Sequence, residues 1–155
     1  MELADLVRLF AEPLDIAIVL TDVDLDRPGP TVLYANPAFS RLSGYAPEEV
    51  VGGTPRMLQG PGTNREATRH LPRLLLSEGR FLGCLQNYRK DGNPYLCEID
   101  VRPILSRDGA PQAFIAFERE VVRRRGRPFG GGTRRYRPAL ASPTPLLGAG
   151  MPLFE

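Results

Sequence analysis

The spacing of hydrophobic and polar positions predicts a short helix and then a strand hairpin at the start of the chain. Residues 2–10 place four apolar side chains on one helical face, namely Leu3, Leu6, Val7 and Phe10. Pro13 then ends this helix, because proline cannot donate the backbone hydrogen bond that another turn requires. Residues 16–20 form an apolar run that predicts a buried strand, and residues 31–34 predict its partner across a proline-rich turn at 24–30.

Helix-start signals follow the hairpin. Asn36 before Pro37 is typical of a helix N-terminus, since the asparagine oxygen accepts a free backbone N–H and proline suits the first helical position. Gly44 is suited to end that helix, because glycine adopts the left-handed conformation without strain. Residues 47–50 predict one further turn, whose early carboxylates complement the helix dipole.

A longer helix is predicted from a cap at Thr63 or Asn64 to Glu78, with Gly79 as its terminator. Three leucines mark the side expected to be buried, Leu71, Leu74 and Leu75. Pro72 lies in the helix interior, where it removes a hydrogen bond and clashes with the preceding turn. We therefore expect a kink there, or a split into two short helices.

Strand-like alternation begins after residue 80. Residues 81–90, 94–104 and 112–121 predict three strands joined by turns at 91–93 and 106–111. The second strand places Tyr95, Cys97, Ile99 and Val101 on one face, and the third does the same with Phe114, Ala116 and Glu118. With the first hairpin, the pattern predicts an α+β fold, a five-stranded antiparallel sheet with a helical cap.

The glycine- and proline-rich residues 52–61 separate the helices from one another. Arg56 carries a planar fork of donors that suits phosphate or carboxylate, and Gln59 both donates and accepts hydrogen bonds. A ligand-facing loop and a solvated connection are both consistent with this composition.

Length and composition are those of one globular domain: 155 residues, 42% hydrophobic and 25% charged, with a net charge of +2. The charge is uneven, because seven arginines lie between residues 123 and 137. Residues 123–155 combine them with glycine and proline but show no hydrophobic period, so we predict a largely disordered basic tail.

Several classes of protein are disfavoured. No apolar run approaches the about 20 residues of a membrane-spanning helix, and no secretory signal is visible, so a cytoplasmic protein without membrane contact is expected. Two cysteines are too few for a disulfide framework or a metal site. The single histidine, His70, lies among arginines on a helix and is expected to be solvated. Asp22, Asp24 and Asp26 resemble a metal cluster but are more typical of a turn after a strand.

Four stretches carry a family resemblance: residues 33–39 (Leu-Tyr-Ala-Asn-Pro-Ala-Phe), 42–45 (Leu-Ser-Gly-Tyr), 52–61 and 87–92 (Asn-Tyr-Arg-Lys-Asp-Gly). Together they resemble a PAS domain, and more narrowly the LOV subgroup of flavin-binding blue-light sensors. The likeness covers residues 13–122. It divides the chain into an N-terminal amphipathic helix (1–12), a LOV-like PAS domain (13–122) and the basic tail (123–155).

The resemblance implies a flavin mononucleotide (FMN) held between the helical cap and the sheet. The family's photoactive cysteine falls at Pro55, which has no thiol, so adduct photochemistry at this position is impossible. The arginine and glutamine that serve the phosphate and ribityl chain fall at Arg56 and Gln59, and the preceding asparagine falls at Thr54. These three residues are therefore candidate cofactor-binding positions.

The remaining family positions are altered. A second phosphate-binding arginine falls at Pro72, and two neighbouring arginines would have to compensate, Arg69 and Arg73. Asn87 matches the first asparagine that binds the flavin ring, whereas the second falls at Cys97 and a glutamine falls at Glu118. An ionised Glu118 facing the flavin carbonyl would be unfavourable unless protonated or paired. A buried cysteine such as Cys97 usually acts as a small hydrophobe, so we do not expect it to replace the lost thiol.

Two functions stay open at this point. The chain is either a sensory module that binds a small ligand such as flavin and signals to a protein partner, or a ligand-free PAS domain that forms a homodimer through its N-terminal helix and sheet face. Enzyme activity is not expected, because the length leaves no room for the ATP-binding domain of a histidine kinase. The arginine-rich tail suits an acidic partner, but no DNA-reading helix is visible, so nucleic acid is not expected.

Overall fold

A computed structural model describes residues 1–123 and 136–139 of the chain. Its elements in order are α1 (Leu3–Ala11), β1 (Ala17–Thr21), β2 (Val32–Ala35), α2 (Pro37–Ser43), α3 (Pro47–Val50), a 3₁₀ helix (Pro55–Leu58), α4 (Arg65–Glu78), β3 (Phe81–Tyr88), β4 (Pro94–Leu105), β5 (Pro111–Arg123) and β6 (Tyr136–Pro138). The helical cap and the three long strands occur where the sequence predicts them.

The strands form one antiparallel sheet in the order β2-β1-β5-β4-β3, which confirms the predicted five-stranded α+β fold. A short sixth strand was not predicted. β6 pairs with the C-terminal end of β5, where Val121 lies opposite Pro138, beyond the point at which β1 leaves β5 at Glu118. The predicted tail therefore begins with strand structure at Arg123, and residues 124–135 and 140–155 lie outside the described residues.

Asn36 joins the first hairpin to the helical cap, as its sequence context predicts. Its side-chain oxygen accepts hydrogen bonds from the N–H groups of Ile18 (2.8 Å) and Phe39 (3.1 Å). Its amide nitrogen donates to the carbonyls of Ala11 (3.0 Å) and Ile16 (2.8 Å). The side chain thus caps α2 and ties it to β1 and to the end of α1 without any exposure to solvent.

α1 packs on the outer face of the sheet, the face turned away from the other helices. Val7 and Ala11 are buried against a cluster that includes Ile18 and Phe117. Three predicted or neighbouring apolar residues are exposed instead, Leu6 (50%), Leu9 (71%) and Phe10 (48%). The predicted apolar face is therefore divided, because Leu3 and Val7 pack against the sheet whereas Leu6 and Phe10 are exposed.

α4 is one continuous helix capped by Asn64, so the predicted division at Pro72 does not occur. Leu75 is buried and Leu71 is partly buried, as predicted, whereas Leu74 is 37% exposed. The proline is tolerated because it lies on the side of α4 that faces the sheet, where packing of the neighbouring leucines offsets the lost hydrogen bond.

The two faces of β4 have different chemistry, as the alternation predicts. Tyr95, Cys97, Ile99 and Val101 belong to the apolar cluster on the inner face, which the helical cap covers. On the outer face the carboxylate of Asp100, with no exposure to solvent, accepts two hydrogen bonds from Arg80 (3.1 and 2.9 Å) and two from Arg102 (3.2 and 2.9 Å). Although burial acts in the opposite direction, these arginines hold the pKa of Asp100 below its ordinary value.

Candidate functional site

A cavity of about 110 Å³ lies between the inner face of the sheet, α4, the 3₁₀ helix and the loop before β2. Its wall is mostly apolar, because α4 presents Leu71, Pro72 and Leu75 while the strands present alternate residues such as Ile99 and Phe114. The polar side chains in the wall are Thr21, Arg56, Gln59, Thr68, Asn87 and Glu118. An apolar cleft with few polar groups is the usual form of a small-molecule site.

The loop singled out by the sequence forms one wall through a 3₁₀ helix that was not predicted. Thr54 caps this helix, since its hydroxyl oxygen accepts the N–H of Arg56 (3.4 Å). Pro55 occupies the first position of the 3₁₀ helix and lines the cavity. Gln59, an exposed residue directly after this helix, lines the cavity as well. Thr54 itself is not among the residues that line the cavity.

Arg56 lines the cavity but directs donors to the backbone of another loop. Its Nε donates to the carbonyl of Gly29 (2.9 Å), and an Nη donates to the carbonyl of Leu25 (3.4 Å). Leu25 and Pro30 of that loop also line the cavity. Arg56 therefore fixes the loop that closes one side of the site, a contact that spans 27 residues of sequence and that sequence reasoning missed.

Three buried polar residues of the sheet line the cavity. Thr21 on β1 is 5% exposed, Asn87 on β3 is 3% exposed and Glu118 on β5 is 5% exposed. The Thr21 hydroxyl donates to the carbonyl of Asp22 (2.9 Å). Burial raises the pKa of Glu118 to about 7, against the opposing effect of a hydrogen bond from Cys97. The cavity thus contains a carboxyl group that changes charge near neutral pH.

Cys97 lies behind this carboxyl group rather than in the cavity wall. Its Sγ is 3.7 Å from an Oε of Glu118, and the residue has no exposure to solvent. Burial and the adjacent carboxylate raise the pKa of the Cys97 thiol well above its usual value, so it stays protonated. Cys84 lies one residue before the cavity-lining Leu85 and therefore on the opposite face of the sheet. Burial raises its pKa to about 11.

Arg89 connects the inner face to the helical cap and was given no role by sequence reasoning. Its guanidinium lies 4.4 Å from the centre of the Tyr95 ring. It also donates to the carbonyl of Leu42 at the end of α2 (2.6 Å) and to the carboxylate of Glu120 (2.8 Å). The backbone carbonyl of Glu120 in turn accepts the N–H of Ala139 directly after β6. The position of Arg89 in the 87–92 motif was the sequence feature that could have indicated a role for this residue.

The arginines expected to compensate for Pro72 do not reach the site. Arg69 and Arg73 are exposed and do not line the cavity, whereas Pro72 does. His70 is half exposed, with its Nε2 3.8 Å from a Glu66 carboxylate oxygen, in agreement with a solvated helix position.

The aspartates after β1 hold their own turn. An Oδ of Asp22 accepts the N–H groups of Thr31 (2.9 Å) and Asp24 (3.2 Å), and an Oδ of Asp24 accepts the N–H of Asp26 (3.1 Å). Residues 1–123 and 136–139 contain no cluster of three or more His, Cys, Asp or Glu that could hold a metal ion. Within the same ranges, none of the helices is long and apolar enough to cross a bilayer.

A sequence model of the PAS domain matches residues 15–123. The chain belongs to the PAS domain family. The PAS domain is 38% identical over 121 residues to blue-light-activated histidine kinase 1 of Erythrobacter litoralis, covering 76% of this chain and 33% of the kinase. It is 34% identical over 118 residues to the bacterioopsin transcriptional activator of Halobacterium salinarum, covering 76% of this chain and 18% of the activator.

Among solved structures, the PAS domain resembles a light-oxygen-voltage domain studied with a flavin analogue. The identity is 30%, the TM-score is 0.62, and the match covers 69% of this chain and 78% of that chain. Domains of the PAS and LOV family are sensory signalling modules, and they mediate protein–protein contacts. The chain spans only 18% and 33% of the two relatives above, which carry further sequence of their own.

Proposed function

We propose that this PAS domain is a LOV-like sensory module whose cavity holds a flavin ring, forms no cysteine adduct, and signals through protein–protein contacts. The observation that carries the proposal is the apolar cavity on the inner sheet face, with Asn87 and Glu118 among its buried polar groups. Apolar walls suit a planar ring, and an amide supplies the paired donor and acceptor that a heteroaromatic edge requires.

The residues at the sheet side of the cavity match the hydrogen-bonding edge of the ring in their chemistry. Asn87 offers one donor–acceptor pair, and a protonated Glu118 donates one hydrogen bond. Leu71, Ile99 and Phe114 give the space between them an apolar wall. When bound, a flavin supplies light absorption and one- or two-electron redox chemistry, so a redox response needs no thiol.

Adduct chemistry has no suitable thiol among the described residues. Pro55 stands in the cavity wall at the position that the resemblance assigns to the photoactive cysteine. Cys97 is covered by Glu118, and Cys84 lies on the opposite face of the sheet. A thiol with a raised pKa is also a poor nucleophile, because the thiolate is the reactive form.

The absorption spectrum of the purified chain, as isolated and after loading with flavin, tests the proposal. Structured blue bands that stay unchanged under blue light are expected; a chain that remains colourless after loading would refute flavin binding. Pro55→Cys should add light-induced bleaching that recovers in the dark, and Pro55→Ser should not, because only the first restores a thiol in the cavity wall. Bleaching of the unaltered chain that disappears in a Cys84→Ser, Cys97→Ser double variant would contradict the absence of an adduct, because bleaching by flavin reduction needs no thiol.

A ligand-free homodimer is the second candidate, favoured by the exposed apolar side of α1. Leu6, Leu9 and Phe10 are each about half exposed or more, although Val7 and Ala11 already bury the opposite side of the helix.

The cavity is also smaller than the about 150 Å³ that holds a single benzene ring in an engineered protein core, so a three-ring ligand requires α4 or the loop to move outward.

Sedimentation of the full chain tests the dimer. Because removing residues 1–12 would uncover the outer face of the sheet, a point substitution is the better probe. Leu9→Glu should convert a dimer to monomers, whereas Leu76→Glu, which alters a similarly exposed leucine on α4, should leave the dimer intact. A monomer before any substitution would contradict the dimer.

A further inference from the structure

The only positively charged residue in the described part of the cavity wall is Arg56, and two of its donors are already used. Its Nε and one Nη donate to the carbonyls of Gly29 and Leu25. A bidentate grip on phosphate requires two parallel N–H donors directed at the same anion. Arg56 directs Nε and one Nη at the loop, so the side of its guanidinium that pairs Nε–H with Nη–H is occupied by the cavity wall and is not offered to a ligand.

The glycine-rich loop does not supply backbone donors either. A phosphate-binding loop needs unpaired N–H groups that converge on one point. The three glycine N–H groups of residues 52–61, and that of Gly62 directly after them, are all hydrogen-bonded within the chain: Gly52 to the carbonyl of Val32 (2.9 Å), Gly53 to the carbonyl of Val50 (3.0 Å), Gly60 to Oγ1 of Thr63 (2.9 Å) and Gly62 to the hydroxyl of Tyr88 (2.7 Å).

The N-terminus of α4, the first helix after this loop, is also occupied. An Oδ of Asn64 accepts the N–H groups of Glu66 (2.9 Å) and Ala67 (3.2 Å). Glu66 adds a carboxylate to the same turn. A helix N-terminus attracts anions only through free N–H groups and a net positive field, and both are reduced here.

Within the cavity itself the charge of the wall gives an anion no net attraction when Glu118 is ionised, because Arg56 is then the only opposing charge among the described wall residues. Glu118 lines the wall and carries a negative charge whenever it is ionised. Pro72 occupies the cavity side of α4, while Arg69 and Arg73 are exposed on its outer side. A doubly charged phosphate in the cavity would therefore have Arg56, which already hydrogen-bonds to the loop, as its one positive neighbour, and Glu118 as a nearby acid.

We infer that the cavity recognises an uncharged planar heteroaromatic ring and has no phosphate-binding site, so the flavin ring binds as well without its phosphate as with it. This inference rests on the proposed flavin-ring cavity and limits its ligand class to the ring and its immediate substituents. It departs from the phosphate contacts that the family resemblance implies for Arg56, because that side chain closes the cavity wall.

Titration of the full chain with FMN, riboflavin and lumiflavin, followed by flavin fluorescence, tests the inference. The dissociation constants for FMN and riboflavin should agree within about tenfold, because a dedicated charged hydrogen bond to phosphate would favour FMN by more than that. A preference for FMN above about tenfold overturns the inference and leaves flavin binding intact. Binding of none of the three compounds overturns both this inference and the proposed function.

Two arginine substitutions separate a wall contact from a phosphate contact. Arg56→Gln should weaken FMN and riboflavin by the same factor, so their affinity ratio stays within about twofold of the original. Arg73→Gln, which alters an exposed arginine on α4, should change neither affinity. A loss confined to FMN in either variant would show a phosphate contact and overturn the inference. The ratio measured on the unaltered chain decides the question even if Arg56→Gln does not fold.

Discussion

Glu118→Gln should remove most of a pH dependence of stability that this buried acid imposes on the domain. Glu118 is 5% exposed and its carboxyl faces an apolar cavity, with the Cys97 thiol as a weak donor. The folded state therefore favours the neutral acid, and the pKa of Glu118 rises from its ordinary 4.5 to about 7. Glutamine keeps the shape but has no proton to lose.

The sign follows from proton binding. Because the folded chain holds the Glu118 proton more tightly than the unfolded chain, the stabilisation is fully present below pH 4.5 and is lost as the pH rises through about 7. At about 1.4 kcal/mol for each pKa unit, the whole effect is roughly 3 kcal/mol. Between pH 5 and pH 8 the loss is about 2.5 kcal/mol in the unaltered chain, and the glutamine variant should not show it.

Urea unfolding of both ligand-free chains near pH 5 and near pH 8 gives the four free energies of unfolding that are needed. The difference between variant and unaltered chain should shift in favour of the variant by about 2.5 kcal/mol on going to the higher pH. Glu78→Gln, at an exposed carboxylate at the end of α4, should show no such shift. An equal difference between the Glu118→Gln variant and the unaltered chain at both pH values would refute the reasoning.

Three further substitutions test the packing around the site, each by the free energy of unfolding. Asp100→Ala leaves its two arginine partners without their shared carboxylate and should cost about 2 to 4 kcal/mol, less at low pH where the acid is protonated; a loss below about 1 kcal/mol would contradict a structural role. Asn36→Ala leaves buried backbone groups unpaired and should cost at least about 3 kcal/mol, whereas a near-neutral result would place those groups in contact with water. Gly60→Ala drives a methyl group into the Tyr88 ring and should cost about 1 to 3 kcal/mol, a loss that Tyr88→Ala should largely suppress in the double variant.

Helix ends were predicted well because their chemistry is local. Asn36 and Asn64 each satisfy N–H groups two or three residues further along, and Gly44 ends α2 with a φ of 79°. Such contacts depend only on the next few residues of sequence. The alternation along β4 and β5 was equally informative, since one face of each strand had to be apolar.

Contacts between distant segments were not predictable in the same way. The helical period of α1 was correct, but which of its faces is buried depends on how closely Ala11 allows the helix to approach the sheet. Likewise, residue type showed Arg56 to be a donor, while its partners on a loop 27 residues away appear only once the chain is folded. β6 forms only because the chain returns to pair with β5, and the sequence around residues 136–138 contains no local pattern that predicts this pairing.

The sequence by itself determined the family to which the chain belongs. For the glycine-rich loop at residues 52–61, it also determined the donor and acceptor types and the lack of a thiol at Pro55. Only the tertiary structure decided what those groups contact. Pro55 and Gln59 face the cavity, Thr54 caps the segment, and Arg56 holds the opposite loop. The physical reason is that a hydrogen-bonding group takes whichever partner the fold brings within about 3 Å, and that partner is set by long-range packing rather than by neighbouring residues.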